Sequence, residues 1–268
     1  MTTLPRIASL VFNRPHYITR DAGLAIANAV TRGGLGSLAP EASRFVGEEQ
    51  VERDEDGRPI TDAWGNKIRR GFRRQGSTAI VNVLGELVNR GAWLDARSGL
   101  VSYEGFAQQL RAVSSEVAAG RVRALILDVN SPGGEAAGMT DAADLVRALA
   151  AEIPVVAVAN SMMCSAAYGI CSGATRIVTT ELGVVGSIGV VMMHADYSGA
   201  LGKSGIDVTL IHEGAHKVDG NPFEALPADV RDAFQAECAK YYAAFVGCVA
   251  AGRRSLSPAG IRATEART

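Results

Sequence analysis

Four short stretches of this chain carry residue types that could perform acyl-transfer chemistry, and a serine heads the group. Ser165 lies in the run Ile153-Pro-Val-Val-Ala-Val-Ala-Asn-Ser-Met-Met-Cys-Ser-Ala-Ala-Tyr168, where an apolar, β-branched stretch passes into small residues. Such a run predicts a buried strand followed by a helix start. A sharp turn at the junction would push the Ser165 hydroxyl out of the sheet, close to the amides that open the helix. Ser165 is then either a nucleophile or one member of a tightly packed run of small residues.

A serine attacks only when something takes its proton. Lys217 could do so in its neutral form, which requires burial to lower its pKa from about 10.4 by roughly three units, at a cost on the order of 4 kcal/mol. The alternative for Lys217 is a solvated surface cation. Ser187, within Gly183-Val-Val-Gly-Ser-Ile-Gly-Val190, could fix the direction of the amine, although the same glycines suit a tight structural turn. The turn Asn130-Ser-Pro-Gly-Gly-Glu135 could aim backbone N–H groups at a developing oxyanion, or simply join a strand to a helix. Neither G-x-G-x-x-G nor G-x-x-x-x-G-K-[ST] is present, which disfavours a phosphate cradle.

The four histidines carry weaker signals. His16 falls early in the chain and His194 stands beside Asp196 after a strand, neither in the context of a base with an orienting acid. His212 and His216 match H-E-x-x-H literally, but the zinc motif needs both imidazoles on one face of a helix. Val208-Thr-Leu-Ile211 predicts a strand before them, and Gly214 with Asp219-Gly-Asn-Pro222 disfavours helix after them. A calcium loop at Asp54-Glu-Asp-Gly57 fails because the later ligand positions do not follow.

The elements that must position these residues follow from periodicity. A helix fits Arg20 to Val30, and Gly33-Gly-Leu-Gly36 and a charged passage from Glu48 to Arg74 come next, with turns at Asp54 to Gly57 and Trp64-Gly-Asn66. Residues 1–75 therefore suggest an arm or peripheral subdomain, with Arg69-Arg70 and Arg73-Arg74 as a small solvated or partner-facing cluster. From Ser77 to Leu84 a strand is predicted, then a helix from Ser102 to Ala119 with Phe106, Leu110, Val113 and Val117 at helical spacing. Strand Ala124 to Val129, helix Ala142 to Ala151, strand Val155 to Val158, and strands at Arg176 to Thr179 and Gly189 to Met193 follow, before a helix from Ala225 to Ala251. Alternating strands and helices imply an α/β domain around a parallel sheet, with its chemistry beyond the carboxyl ends of the strands.

Composition bounds the alternatives. The 268 residues, 47% of them apolar, suffice for a substantial core, and a net charge of −1 offers no field to collect nucleic acid or an anionic membrane. Cys164, Cys171, Cys238 and Cys248 form no C-x-x-C pair and are expected as buried thiols in a reducing compartment. No signal peptide pattern opens the chain and no run of 18 apolar residues occurs, so a cytoplasmic protein without a membrane anchor is expected.

In order along the chain, Ser131-Pro-Gly-Gly134, Ser165-Ala-Ala-Tyr168, Gly186-Ser-Ile-Gly189 and Gly214-Ala-His-Lys217 resemble the signal peptide peptidase A family of Ser-Lys proteases, peptidase family S49, on the ClpP/crotonase fold. The resemblance covers residues 77 to 250. It implies a repeated ββα/βαβ core over 76–268, C-terminally incomplete, with an N-terminal extension. By the same resemblance Ser165 is the nucleophile, Lys217 the general base and Ser187 the residue that orients it. The amides of Gly134 and Ala166 would be the oxyanion donors. No cofactor or metal is implied, and the partners would be a protein or peptide substrate and further copies of the chain, since relatives share sites between subunits.

Where the family usually has Ala-Ser-Gly-Gly-Tyr, this chain has Cys164-Ser-Ala-Ala-Tyr168, which predicts a narrower approach to the serine. Without the family's common membrane anchor, the chain is similar to the phage branch of lambda protein C-like head maturation proteases, which cleave scaffold and capsid proteins within the procapsid. The alternatives are a cytosolic bacterial relative of signal peptide peptidases, a crotonase-like acyl-CoA enzyme with Glu135 as its carboxylate, and a non-proteolytic capsid component.

Overall fold

A computed structural model describes residues 12–31, 50–51, 58–59, 69–90 and 100–268. The turns expected near Asp54 and Trp64 and the glycines at 33–36 lie outside the described residues. In chain order the elements begin with β1 (Pro15–Ile18), α1 (Arg20–Thr31), β2 (Gln50–Val51), β3 (Arg69–Arg70), β4 (Arg73–Gln75), β5 (Thr78–Leu84), β6 (Glu86–Val88) and β7 (Leu100–Ser102). They continue with α2 (Tyr103–Ala118), β8 (Ala124–Ser131), β9 (Gly133–Glu135), α3 (Met139–Glu152), β10 (Val155–Cys164), α4 (Ala166–Cys171), β11 (Arg176–Thr179), β12 (Val184–Gly186) and β13 (Val191–Met192). Helices α5 (Ser198–Lys203), α6 (Ala228–Gly252) and α7 (Pro258–Ala263) complete the chain.

The main sheet has the order β11-β10-β8-β5-β4, with β12 also paired to β10. Strands β5, β8 and β10 run parallel; Val81, Val83, Leu125, Leu127, Val129 and Val155 are buried, whereas Ile126, Val156 and Val158 at the alternate positions are half-buried. Helix α2 starts where Ser102 Oγ accepts the Gly105 N–H at 3.0 Å. Its stripe of Phe106, Leu110 and Val113 joins the same core as Met139, Val146 and Leu149 of α3. Only the second half of α6 reaches this core deeply, through Phe245, Val246, Cys248 and Val249. The α/β architecture agrees with the alternation in the sequence.

Three features differ from the sequence expectations, each with a physical reason. The turn after β8 is short, because Gly133–Glu135 form β9 of a second sheet ordered β13-β1-β9-β6-β7. Residues 15–18 and 73–75, which composition grouped with the arm, are hydrogen-bonded into the two sheets as β1 and β4. Tyr17 of β1 explains that capture: its ring is buried 4.4 Å from the Phe245 ring, and its hydroxyl donates to the Tyr241 carbonyl at 2.6 Å. Finally, Val208 to Ile211 runs outside any strand and is exposed, since its alternating apolar residues find no partner strand among the described residues.

Candidate active site

Strand β10 delivers Ser165. Its first half pairs with β11 on one side, and on the other its register with β8 shifts between Ala159 and Met163, where Ser161 has a φ of 90°. Beyond the irregularity, Met162 to Cys164 pair with β12 instead, in register with Val184 to Gly186. The chain then turns sharply: Ser165 has φ 53° and ψ −121°, a conformation that costs an L-residue roughly 1–3 kcal/mol. Its N–H donates to the Gly186 carbonyl at 2.7 Å, and its carbonyl accepts the first bond of α4 from Gly169 at 2.9 Å. The side chain is fully buried and the hydroxyl has no hydrogen-bond partner among the described residues. A buried, unpaired hydroxyl on strained backbone is costly for a structural residue and useful for a reactive one.

Against this turn lies the Gly133-Gly134 backbone. Gly133 has φ 103°, and a Cβ there would stand 2.9 Å from Ser165 Cβ and 3.0 Å from the Ala166 nitrogen, besides striking the Tyr17 carbonyl. Gly134 is registered against Tyr17 of β1 and Leu87 of β6, and a Cβ on it would collide with the Leu87 backbone. Glycine is thus demanded at both positions by close approach. Glu135 secures the strand: its Oε2 accepts the Asn89 N–H at 2.8 Å, and its carbonyl accepts the Tyr103 hydroxyl at 2.8 Å. Burial, reinforced by the Glu135 charge, pushes the Tyr103 hydroxyl well above its ordinary pKa, so it remains a donor.

Ser187 follows Gly186 directly, with φ 56°, and its N–H donates to the Arg267 carbonyl at 3.1 Å. A cleft of about 420 Å³ opens beside it, walled by Ile18, Leu24, Val190 and Met193, with Arg20 and Ala266 also on its lining. Ile18 is the cross-strand neighbour of Gly133, so the cleft borders the turn that abuts Ser165.

Lys217 stands elsewhere. It is exposed on a series of turns that spans 213–220, with its N–H donating to the Gly214 carbonyl at 3.1 Å. Because the Ser165 hydroxyl has no partner, the two side chains are not hydrogen-bonded within one chain. The structure therefore brings together Ser165, Ala166, Gly134 and the Ser187 backbone, and leaves Lys217 at the surface. His212 and His216 are exposed in the same non-helical segment, where Nδ1 of His212 meets the Gly214 carbonyl at 3.1 Å and Nδ1 of His216 meets Asp219 at 2.9 Å. This geometry lacks the single helical face that H-E-x-x-H requires. Gly186 was expected only as part of the Gly186-Ser-Ile-Gly189 motif; that its carbonyl holds the Ser165 amide was not foreseen, as a backbone acceptor leaves no residue-type signal.

Comparison with known proteins supplies the family. The model of peptidase family S49 matches residues 147–266. The chain is 41% identical over 205 residues to the head-tail preconnector protein GP5 of Enterobacteria phage P21, covering 75% of this chain and 40% of that protein. It is 35% identical over 246 residues to the capsid assembly protease C of Escherichia phage lambda, covering 88% of this chain and 53% of that protein. The chain thus spans about half or less of the length of these relatives. Among solved structures, a ClpP1 variant from Listeria monocytogenes aligns with a TM-score of 0.39 at 14% identity, over 70% of this chain and 79% of that one. Among the described residues no helix is long and apolar enough to cross a membrane. Residues 147–266, the segment that carries Ser165, Ser187 and Lys217, match peptidase family S49.

Proposed function

We propose that this chain is a serine endopeptidase that uses a Ser165–Lys217 dyad to cleave scaffold and capsid proteins during phage head maturation. The observation that carries the proposal is Ser165 itself: a buried, unpartnered hydroxyl on left-handed backbone between a strand and a helix, inside the segment matched to a peptidase family. The substrate class follows from the relatives, whose names describe a capsid assembly protease and a head-tail preconnector.

In this reaction the neutral Lys217 amine takes the Ser165 proton as Oγ bonds to the scissile carbonyl carbon. The amides of Gly134 and Ala166 stabilise the oxyanion; Ala166 opens α4, where a helix leaves its first N–H groups without intrahelical acceptors. As the C–N bond breaks, the Lys217 ammonium returns its proton to the leaving amine. Lys217 then takes a proton from the water that attacks the acyl carbon and returns it to Ser165 Oγ as the acyl C–O bond breaks. Ser187 would orient the lysine.

The base reaches the serine from a second copy of the chain. Support comes from the exposed Lys217, the unpartnered Ser165 hydroxyl, and the apolar surface of Leu182, Ile206 and Ile211, which are exposed by half or more. Burial of that surface between copies would also dry Lys217 enough to make it neutral. The test is labelling with a serine-reactive fluorophosphonate, read by mass spectrometry. Ser165→Ala and Lys217→Ala should each abolish labelling and proteolysis of a capsid-type substrate, and a mixture of the two variants should restore both. Labelling that persists in Ser165→Ala sinks the nucleophile assignment, and activity lost to a chelator alone would revive the zinc alternative.

A further inference from the structure

Residues 202–217 are exposed without interruption, so their order adds little to the hydrophobic core. The chain returns to the body at Gly220, which is buried, three residues after Lys217. There the Asn13 side chain meets it: Nδ2 donates to the Gly220 carbonyl at 2.6 Å. A carbonyl can only accept, so the amide's orientation is fixed by chemistry and Oδ1 faces the other way. It lies 3.2 Å from Nδ1 of His194, which must carry the proton of that bond. Asn13 is itself held by its N–H on the Met193 carbonyl at 2.8 Å, with a φ of 56°. Gly220 is wedged between the Asn13 amide and the Phe234 ring, which would stand 3.1 Å and 2.7 Å from a Cβ placed there.

From this anchor outward the turns are tied to one another. The Asn221 N–H and side chain both donate to the Val218 carbonyl at 3.0 Å, and the Lys217 N–H closes on Gly214. Just past the anchor, Pro222 accepts the Tyr197 N–H at 2.7 Å. Three residues of chain reach at most about 10 Å, so the place of Gly220 limits where the Lys217 backbone can be. A left-handed asparagine whose amide bridges His194 and the buried foot of an exposed loop does little for the core and much for the loop's position.

We propose that Asn13 is a positioning residue whose amide, braced by His194, anchors the Lys217 loop at Gly220 and sets where the amine is presented. This rests on the assignment of Lys217 as the base. Two variants separate side chain from backbone: Asn13→Gly keeps the left-handed conformation and deletes the amide, whereas Asn13→Asp keeps the acceptor for His194 and opposes an oxygen to the Gly220 carbonyl. Each would be measured in the full chain by hydrogen–deuterium exchange over 205–220 and by fluorophosphonate inactivation resolved into kinact and KI.

The expected result is exchange at least about tenfold faster in that segment. With it, kinact should fall by roughly 10–100-fold while KI stays within about twofold, because misplacement by about 1 Å is enough for such a loss. Unchanged exchange in both variants shows that no clamp exists. Faster exchange with an unchanged kinact shows that the clamp does not position the base. Lys217→Ala, run in parallel, reads the underlying assignment: if its kinact equals the wild type, the dyad falls, whereas its exchange pattern still reports the clamp. Should Asn13→Asp fail to fold, Asn13→Gly carries the test alone.

Discussion

Replacing Ser165 should make the protein more stable, and glycine should do so more than alanine. Two costs meet at this residue: a left-handed backbone, worth roughly 1–3 kcal/mol, and a buried hydroxyl without a partner, worth about 1–3 kcal/mol. Ser165→Ala removes the second cost only, giving a gain of about 1–3 kcal/mol. Ser165→Gly removes both, less about 0.5–1 kcal/mol for the greater freedom of glycine in the unfolded chain, for a net gain of about 1–5 kcal/mol. In a chain of this size each kcal/mol moves Tm by roughly 2–4 °C, so the ladder is measurable by calorimetry and by urea midpoints. The decisive comparison is between the two variants, since both lack the hydroxyl and neither can be acylated. If Ser165→Gly proves no more stable than Ser165→Ala, the strain is not stored at Ser165 and the proposal of a pre-organised reactive group there loses its structural basis.

Gly133→Ala should destabilise the fold by about 2–5 kcal/mol, from the left-handed φ and the collision with Tyr17 and Ser165, and should slow fluorophosphonate labelling of whatever protein remains folded. A variant with wild-type stability would show that β9 can withdraw from the serine. Lys217→Arg should be as inactive as Lys217→Ala, a loss of about 10²–10⁴ in kcat, because a guanidinium cannot shed its proton; appreciable turnover in Lys217→Arg would mean that the side chain acts by charge alone. Burial pushes the Cys164 thiol up to about 11 and the Cys171 thiol up to about 12, which leaves thiolate fractions on the order of 10⁻⁴ or less at neutral pH. Iodoacetamide should therefore reach half-buried Cys238 first, with labelling of Cys164 rising as pH climbs toward its pKa; Cys171 alkylated as fast as Cys238 in native protein would contradict this burial.

The sequence made the parallel sheet and its helices legible because each is encoded locally: β8 opens with the apolar run Ala124 to Leu127, and α2 carries a helical stripe behind a serine cap. Its failures share a different origin. Pro15–Ile18 is too short to announce a strand, and it becomes one because Tyr17 finds Phe245 and Tyr241, more than 220 residues away. Gly133–Glu135 has the composition of a turn, yet β1 and β6 on either side convert it to strand. Ser165 could be placed at a strand end from the sequence, but its φ and its enclosure depend on the register shift in β10 and on Gly186, neither of which has a residue-type signature. Val208 to Ile211 is the instructive inverse: its pattern is that of a strand, and it lacks only the partner. A segment with strand periodicity, exposed apolar side chains and a lysine six residues beyond it is what a chain would carry if that strand and that lysine were completed by another copy.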